Sequence, residues 1–386
     1  MKKRISVFLF LSVILLTFCL TGFSKKMESQ LNIKSKSAYL LDYKTNSVIY
    51  SYNETKRLPI ASVTKVMTLA LCFDALKDGI FNLDDKIIVS ENASSMGGSQ
   101  IFLEKDGEYL ISDIIKGIVV CSANDGCVAM AELIAGSEDN FVTLMNNKAN
   151  ELQMNNTLFV NCTGLPKPGQ YSCAKDVVTM FNYLLEHDEY FNFSTIWIDK
   201  ISHPNDRFTE ISNTNKLIRF YQGCDAGKTG FTQEAGHCLV ASACKNNMRL
   251  ISCVISSPDS KTRFNEVSSL FNYGFNNYES RKILDCSKPL TFKADVKGGK
   301  AKTINLSIDR DVYIFTEKNK KCSFDFDFNL DKSIKAPIVK NQVLGELNIY
   351  EKGVLIDTVK IVSMQDLESK SYLDCIIEAF YNWSML

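Results

Sequence analysis

The sequence predicts an α+β fold in which helices pack on an antiparallel sheet, followed by a small all-β domain and a C-terminal amphipathic helix. Three observations carry that expectation. The first part of the chain mixes segments with apolar residues every three to four positions and segments that alternate or run apolar; after Tyr278 only short β-like runs remain; and the last stretch returns to a helical stripe. With 386 residues, 45% of them apolar, the chain exceeds the roughly 250–300 residues at which a single core stops growing, so two folded units are expected.

Taken in order, the chain opens with Lys2-Lys3-Arg4, an apolar run from Ile5 to Leu20 and the small residues Gly22 and Ser24 before Lys25-Lys26. That order is the pattern of a secretory signal, expected over 1–24, with a retained membrane anchor as the alternative. Either reading puts the remainder outside the cell, at the outer face of the cytoplasmic membrane or in the cell wall. From Ala38 to Tyr50, two apolar stretches flank Lys44-Thr45-Asn46-Ser47, a hairpin signal. Ser62 to Leu76 carries Val66, Met67, Leu69, Ala70, Phe73 and Leu76 at helical spacing, with Ser62 at the start of a helix buried on one face.

Further helices are expected at Ile111–Val120, Asp125–Ala135, Phe141–Leu152 and Ala174–Leu185, and adjacent strands at Ala235–Ala243 and Met248–Ser256. These define a first domain over 30–282. Runs at Leu290–Ala294, Thr303–Ile308, Val312–Phe315, Gln342–Tyr350 and Val354–Val362 define the all-β domain over 285–362. In the tail, 365–386, residues Tyr372, Leu373, Ile376, Ile377, Phe380 and Trp383 fall on one helical arc opposite Asp374, Glu378 and Asn382. Surface-bound helices usually carry basic polar faces and this one is acidic. Peripheral membrane contact and packing on its own domain therefore both stay open.

Lys+Arg and Asp+Glu each number 44, so no overall field draws this chain to nucleic acid. His187, His203 and His237 are scattered, which argues against a zinc hydrolase, and no metal or cofactor is expected. The thirteen cysteines include no C-x-x-C pair. Cys72, Cys121, Cys238 and Cys253 lie inside apolar runs, where a thiol packs as a small hydrophobe.

The chemistry is expected from three short motifs in order: Ser62-Val63-Thr64-Lys65, Ser122-Ala123-Asn124 and Lys228-Thr229-Gly230, a set shared by penicillin-binding proteins and β-lactamases. Singly, each also reads as a helix cap or a turn with an exposed lysine. In the first, a serine at a helix start and a lysine one turn on share a face, so the amine can reach the hydroxyl. A serine is a weak nucleophile until a neighbour takes its proton, and a lysine does so when burial or nearby cations lower its pKa. In the second, Ser122 carries a proton to the leaving amine and Asn124 holds a substrate amide. In the third, Lys228 and Thr229 present a cation and a hydroxyl to a carboxylate from an edge strand.

With the surrounding stretches, P-I-A-S-V-T-K-V-M-T, S-A-N-D-G-C-V-A-M-A-E, G-C-D-A-G-K-T-G-F-T-Q-E-A-G and A-P-I-V-K-N-Q-V-L-G, the chain resembles the low-molecular-weight penicillin-binding D-alanyl-D-alanine carboxypeptidases over nearly its whole length. The resemblance implies a serine β-lactamase/transpeptidase-like domain acting on peptidoglycan stem peptides, with β-lactam antibiotics as covalent inhibitors. It also implies Ser62 as the acylated nucleophile and Lys65 as its partner, with Ser122, Asn124, Lys228, Thr229 and Gly230 around them. Arg263 falls where the family places an arginine that assists carboxylate binding, and the N–H groups of Ser62 and Phe231 would form the oxyanion hole. Some relatives carry His or Tyr where this chain has Phe231. A class A β-lactamase would need an E-x-x-L-N loop, and Glu151-Leu152-Gln153-Met154-Asn155 has the wrong spacing. A D-alanyl endopeptidase and a non-catalytic wall-binding relative are the remaining alternatives.

Overall fold

The computed structural model describes residues 31–377; the expected signal segment at 1–24 and the tail from 378 onward lie outside the described residues. Contacts divide the chain into two units that meet between Asn277 and Tyr278. The second unit therefore starts with a strand, Tyr278–Leu284, that begins inside the span 30–282 expected for the first domain.

The first unit is built on a five-stranded antiparallel sheet. Strands β1 (Ser37–Asp42) and β2 (Val48–Tyr52) form the hairpin at its start. Two small two-stranded antiparallel sheets follow, β3 (Lys86–Ile88) with β4 (Glu108–Leu110) and β5 (Ile198–Ser202) with β6 (Phe208–Ser212). The sheet is completed by β7 (Cys224–Thr232), β8 (Gly236–Lys245) and β9 (Met248–Ser257), in the order β2-β1-β9-β8-β7. Strand β7, which carries the third motif, is thus an edge strand, open along one side to a second extended chain.

Helix α1 (Lys65–Lys77) is buried nearly all round rather than on one face. Its residues Met67, Leu69, Ala70 and Cys72 have no solvent exposure, because α2 (Ile111–Cys121), α3 (Asn124–Ala135), α4 (Glu138–Glu151) and α5 (Ala174–Leu184) all touch it. A helix that is apolar on every side needs such a cage of neighbours. Helix α6 (Ser260–Asn277), not among the helices expected from the sequence, packs on β8 and β9 through Phe264, Val267, Leu270 and Phe271. Among the described residues all cysteines are free, and Cys72, Cys238 and Cys253 are buried as small apolar groups; Cys121 is half-buried.

The second unit is all-β apart from its last described turn. Strands β10 (Tyr278–Leu284) and β13 (Val312–Glu317) pair, and β11 (Lys293–Asp295), β12 (Thr303–Ile308), β14 (Phe324–Leu330), β15 (Val343–Glu351) and β16 (Val354–Ser363) form a sheet in the order β11-β12-β16-β15-β14. Leu306, Leu347, Ile349 and Ile361 centre its core. Residues 372–377 are helical, with Tyr372, Leu373 and Ile377 exposed.

Candidate active site

Ser62 lies in a 3-10 turn, Ala61–Thr64, that runs straight into α1, so Lys65 is the first α-helical residue. The turn is reached through Ala61 at φ +49°, a left-handed conformation that costs an L-residue about 1–2 kcal/mol. The neighbours enforce it. Gly164, at φ +78°, lies so close that a Cβ there would sit 2.1 Å from the Ala61 carbonyl oxygen. From the other side, a Cβ on Gly230 would sit 2.6 Å from the Ile60 oxygen and 3.1 Å from the Ser62 nitrogen. The glycine of the third motif is therefore what lets the edge strand close on the serine turn.

Lys65 is fully buried. Its Nζ donates to Ser62 Oγ at 3.1 Å and to the Thr163 carbonyl at 2.5 Å. Burial pushes this amine below its ordinary pKa, since a charge in an apolar surround loses its hydration. The Thr163 contact was invisible in the sequence because a backbone oxygen makes it; the one cue is the turn-like Asn161-Cys162-Thr163-Gly164.

The second motif bridges α2 and α3. Ser122 takes the left-handed conformation at the end of α2, φ +69°, which separates its hydroxyl from the helix and turns the chain into α3. Asn124 donates from Nδ2 to the Gly97 carbonyl at 2.7 Å, while its buried Oδ1 has no partner among the described residues. Asp125, not singled out from the sequence, accepts the N–H groups of Ile101 and Leu103 at 3.1 Å, tying the 97–103 segment to the first turn of α3. An acid in the first turn of a predicted helix was the available signal.

On β7, Lys228 is 1% exposed and its Nζ donates to Ser122 Oγ at 2.8 Å and to the Thr229 carbonyl at 3.2 Å. Burial, then the cations of Lys65 and Arg263, lower its pKa to about 7. Arg263, on α6, donates from Nη1 to the Gly230 carbonyl at 3.0 Å and to the Cys238 carbonyl at 3.3 Å, clasping β7 to β8 from within. Thr229 is buried. Phe231 is 55% exposed and stacks on His237 across the strand pair, centroids 4.3 Å apart. The structure thus brings all three motifs together: one hydroxyl on one buried amine, a second on another, joined by the mutual repulsion of the two lysines. A group of metal-ligating type, Asp285, Cys286 and Asp311, lies in the second unit and outside the motifs, with Lys282 Nζ 2.6 Å from Asp311.

A hydroxyl beside an amine whose pKa burial lowers, at the edge of a sheet able to take a peptide, defines a serine peptidase. Residues 24–259 match the D-alanyl-D-alanine carboxypeptidase family (peptidase S11), and residues 278–369 match the C-terminal domain of penicillin-binding protein 5. The chain belongs to the D-alanyl-D-alanine carboxypeptidase family. It is 37% identical over 386 residues to D-alanyl-D-alanine carboxypeptidase DacF of Bacillus subtilis, covering 99% of each chain. Among solved structures it is similar to penicillin binding protein 5 from Haemophilus influenzae, with 31% identity, a TM-score of 0.71, and coverage of 88% of this chain and 98% of that one. It is also similar to penicillin-binding protein D2 from Listeria monocytogenes in the ampicillin-bound form, with 27% identity, a TM-score of 0.57, and coverage of 64% of this chain and 99% of that one.

Proposed function

We propose that this protein is an exported serine-type carboxypeptidase that removes the terminal D-alanine of peptidoglycan stem pentapeptides through an acyl-enzyme on Ser62. The observation that carries the reading is the pair of contacts Lys65 Nζ to Ser62 Oγ, 3.1 Å, and Lys228 Nζ to Ser122 Oγ, 2.8 Å, with both amines buried. Lys65, disfavoured as a cation, takes the Ser62 proton as Oγ attacks the carbonyl between the two D-alanines. The oxyanion is received by the N–H groups of Ser62 and Phe231, each donor worth about 3–4 kcal/mol of barrier. Ser122 passes a proton to the leaving amine, the unpartnered Oδ1 of Asn124 accepts a substrate N–H, and Lys228 and Thr229 meet the terminal carboxylate. Arg263 adds its charge from beneath the same strand and holds Gly230 in place. Water then releases the shortened peptide from Ser62.

Penicillins mimic this acyl donor, and the ampicillin-bound relative supports their acting here as covalent inhibitors. Export rests on the N-terminal pattern, and peripheral membrane contact on the exposed Tyr372, Leu373 and Ile377. The test is labelling with a fluorescent penicillin together with mass analysis of a pentapeptide digest. Wild type is labelled and removes one D-alanine; Ser62→Ala is not labelled and Lys65→Ala is nearly inert. Labelling that survives Ser62→Ala overturns the nucleophile, and cleavage of crosslinked dimers in preference to the pentapeptide makes the protein an endopeptidase.

A further inference from the structure

At the far end of α1 from Lys65 lies a cavity of about 710 Å³ to which none of the three motifs contributes. At a rise of about 1.5 Å per residue, roughly 12–18 Å of helix separate it from Lys65. Its floor is apolar, made by Phe73 and Leu76 of α1, Leu83 and the ring of Tyr183. Its wall is the segment 186–189, which follows the end of α5 at Leu184.

The chemistry of this space centres on His187. The residue is 8% exposed; its ring stacks on Phe73 with centroids 5.9 Å apart and meets Tyr183 edge-on at 5.7 Å. Nε2 stands 3.2 Å from Asp74 Oδ1, off the line of a hydrogen bond, and Nδ1 has no partner among the described residues. Asp74 also accepts from the Tyr183 hydroxyl at 2.6 Å and pairs with Lys148 at 3.2 Å. Burial alone would raise the pKa of Asp74, and His187, Tyr183 and Lys148 bring it down to about 2. A carboxylate that stays ionised draws the imidazole proton to Nε2, so Nδ1 keeps its lone pair and the ring offers the cavity an acceptor.

The remaining surroundings favour positive charge. Glu186, Asp188 and Glu189 line the space against a single lining cation, Lys77. The C-terminal ends of α1 and α5, the negative poles of their backbone dipoles, converge there as well. Lys148 is already engaged by Asp74 and Glu151. An anion would be repelled, and a wholly apolar molecule would leave Nδ1 unanswered. The group that answers the acceptor, the carboxylates and the helix ends together is an ammonium, with Phe73, Leu76 and Leu83 covering a methylene chain behind it.

We infer that this cavity binds an alkylammonium group that donates to His187 Nδ1 and is balanced by Glu186, Asp188 and Glu189, carried either by a free amine or by a lysine-like side chain of a peptide. The inference is independent of the carboxypeptidase reading, since no residue of the cavity belongs to the three motifs.

The experiment follows the ring nitrogens of His187, His203 and His237 by NMR in the full chain, with His187→Gln assigning the first. 1-Aminopentane should shift the His187 signals to saturation and leave the other two in place. 1-Pentanol, of equal length and uncharged, should bind about tenfold more weakly, the scale of a hydrogen bond to a charged group. Glu186→Gln, Asp188→Asn and Glu189→Gln together should weaken the amine about tenfold or more, at about two- to fivefold per exposed carboxylate, with penicillin labelling unchanged as the sign of an intact fold. Nα-acetyl-lysine methylamide separates the two sources. Binding of both probes assigns the site to the ammonium tail wherever it is carried, of 1-aminopentane alone to small free amines, and of the lysine derivative alone to a peptide side chain. His187 signals that neither amine moves, an alcohol that binds as tightly as the amine, or a triple variant that binds like wild type would each overturn the inference.

Discussion

Replacing Gly230 by alanine tests whether the close approach of β7 to the serine turn is what organises catalysis. The added methyl would stand 2.6 Å from the Ile60 oxygen and 3.1 Å from the nitrogens of both Ser62 and Val63. Contacts between such non-bonded atoms are comfortable near about 3.5 Å, so strand and turn must part by roughly 0.5–1 Å. No rotamer can relieve this, because every atom involved is backbone or Cβ. Overpacking of this kind costs about 1–3 kcal/mol of stability. The displacement falls between the Ser62 and Phe231 amides, and about 1 Å of misplacement at a reacting centre lowers rates on the order of a hundredfold. The assay is the second-order rate of acylation by a fluorescent penicillin, with thermal unfolding measured on the same sample. The expected result is a folded protein acylated about a hundredfold more slowly. A folded Gly230→Ala that acylates within about threefold of wild type would refute the argument, since the glycine would then be a turn preference with no part in the site.

Phe231→Ala keeps the backbone N–H and loses only the stack on His237, so acylation should fall less than about tenfold, well short of Gly230→Ala; an equal loss would mean the ring itself contacts the acyl group. Asp125→Asn exchanges a charged acceptor of the Ile101 and Leu103 amides for a neutral one, and should cost about 1–3 kcal/mol in denaturant unfolding, with no change marking the contact as dispensable. Lys228 sits near about 7 in the folded protein against 10.5 for a free lysine, so between those values the unfolded chain binds the extra proton and this group makes stability rise with pH. Lys228→Met should flatten that part of the rise in denaturant midpoints taken from pH 7 to about 10, and parallel curves for the two proteins would count against the low value. Because no metal ligand belongs to the three motifs, a chelator should leave acylation unchanged, and activity lost to chelation and restored by a divalent cation would contradict the mechanism.

How much of this could be read from the chain depends on where the determining atoms are. Ser62 and Lys65 were legible because helical spacing forces side chains three apart onto one face, and the edge position of Lys228 followed from apolar strands just after it. The burial of α1 on every side was less so, since its own periodicity cannot reveal how many other helices will surround it. Helix α6 was missed although Phe264, Val267, Leu270 and Phe271 keep helical spacing; its Asn, Ser and aromatic content is poor in strong helix formers, and tertiary packing on β8 and β9 overrides that. Strand β14 alternates Phe324, Phe326 and Phe328 with Asp325 and Asp327, a period-two signal that its acidic half obscured. The Thr163 carbonyl and the Gly164 and Gly230 clearances were beyond reach, because they are distances between backbones far apart in sequence.

The pairing of two lysines in one buried site has a consequence that neither lysine has alone. Each amine, taken out of water, resists being charged, and each charge opposes the other, as the lowering of Lys228 by Lys65 records. A peptide carboxylate arriving at Lys228 and Thr229 changes that balance by stabilising the ammonium of Lys228. Once Lys228 is held as a cation, the same repulsion bears on Lys65 and favours its neutral, proton-accepting form beside Ser62. In the proposed mechanism the nucleophile is thus made ready by the end of the substrate that departs, which would tie acylation to chains that end in a free carboxylate at that distance. An acyl donor of equal reactivity with that carboxylate amidated should bind without drawing the proton off Lys65, and its loss should fall on the acylation rate more than on affinity.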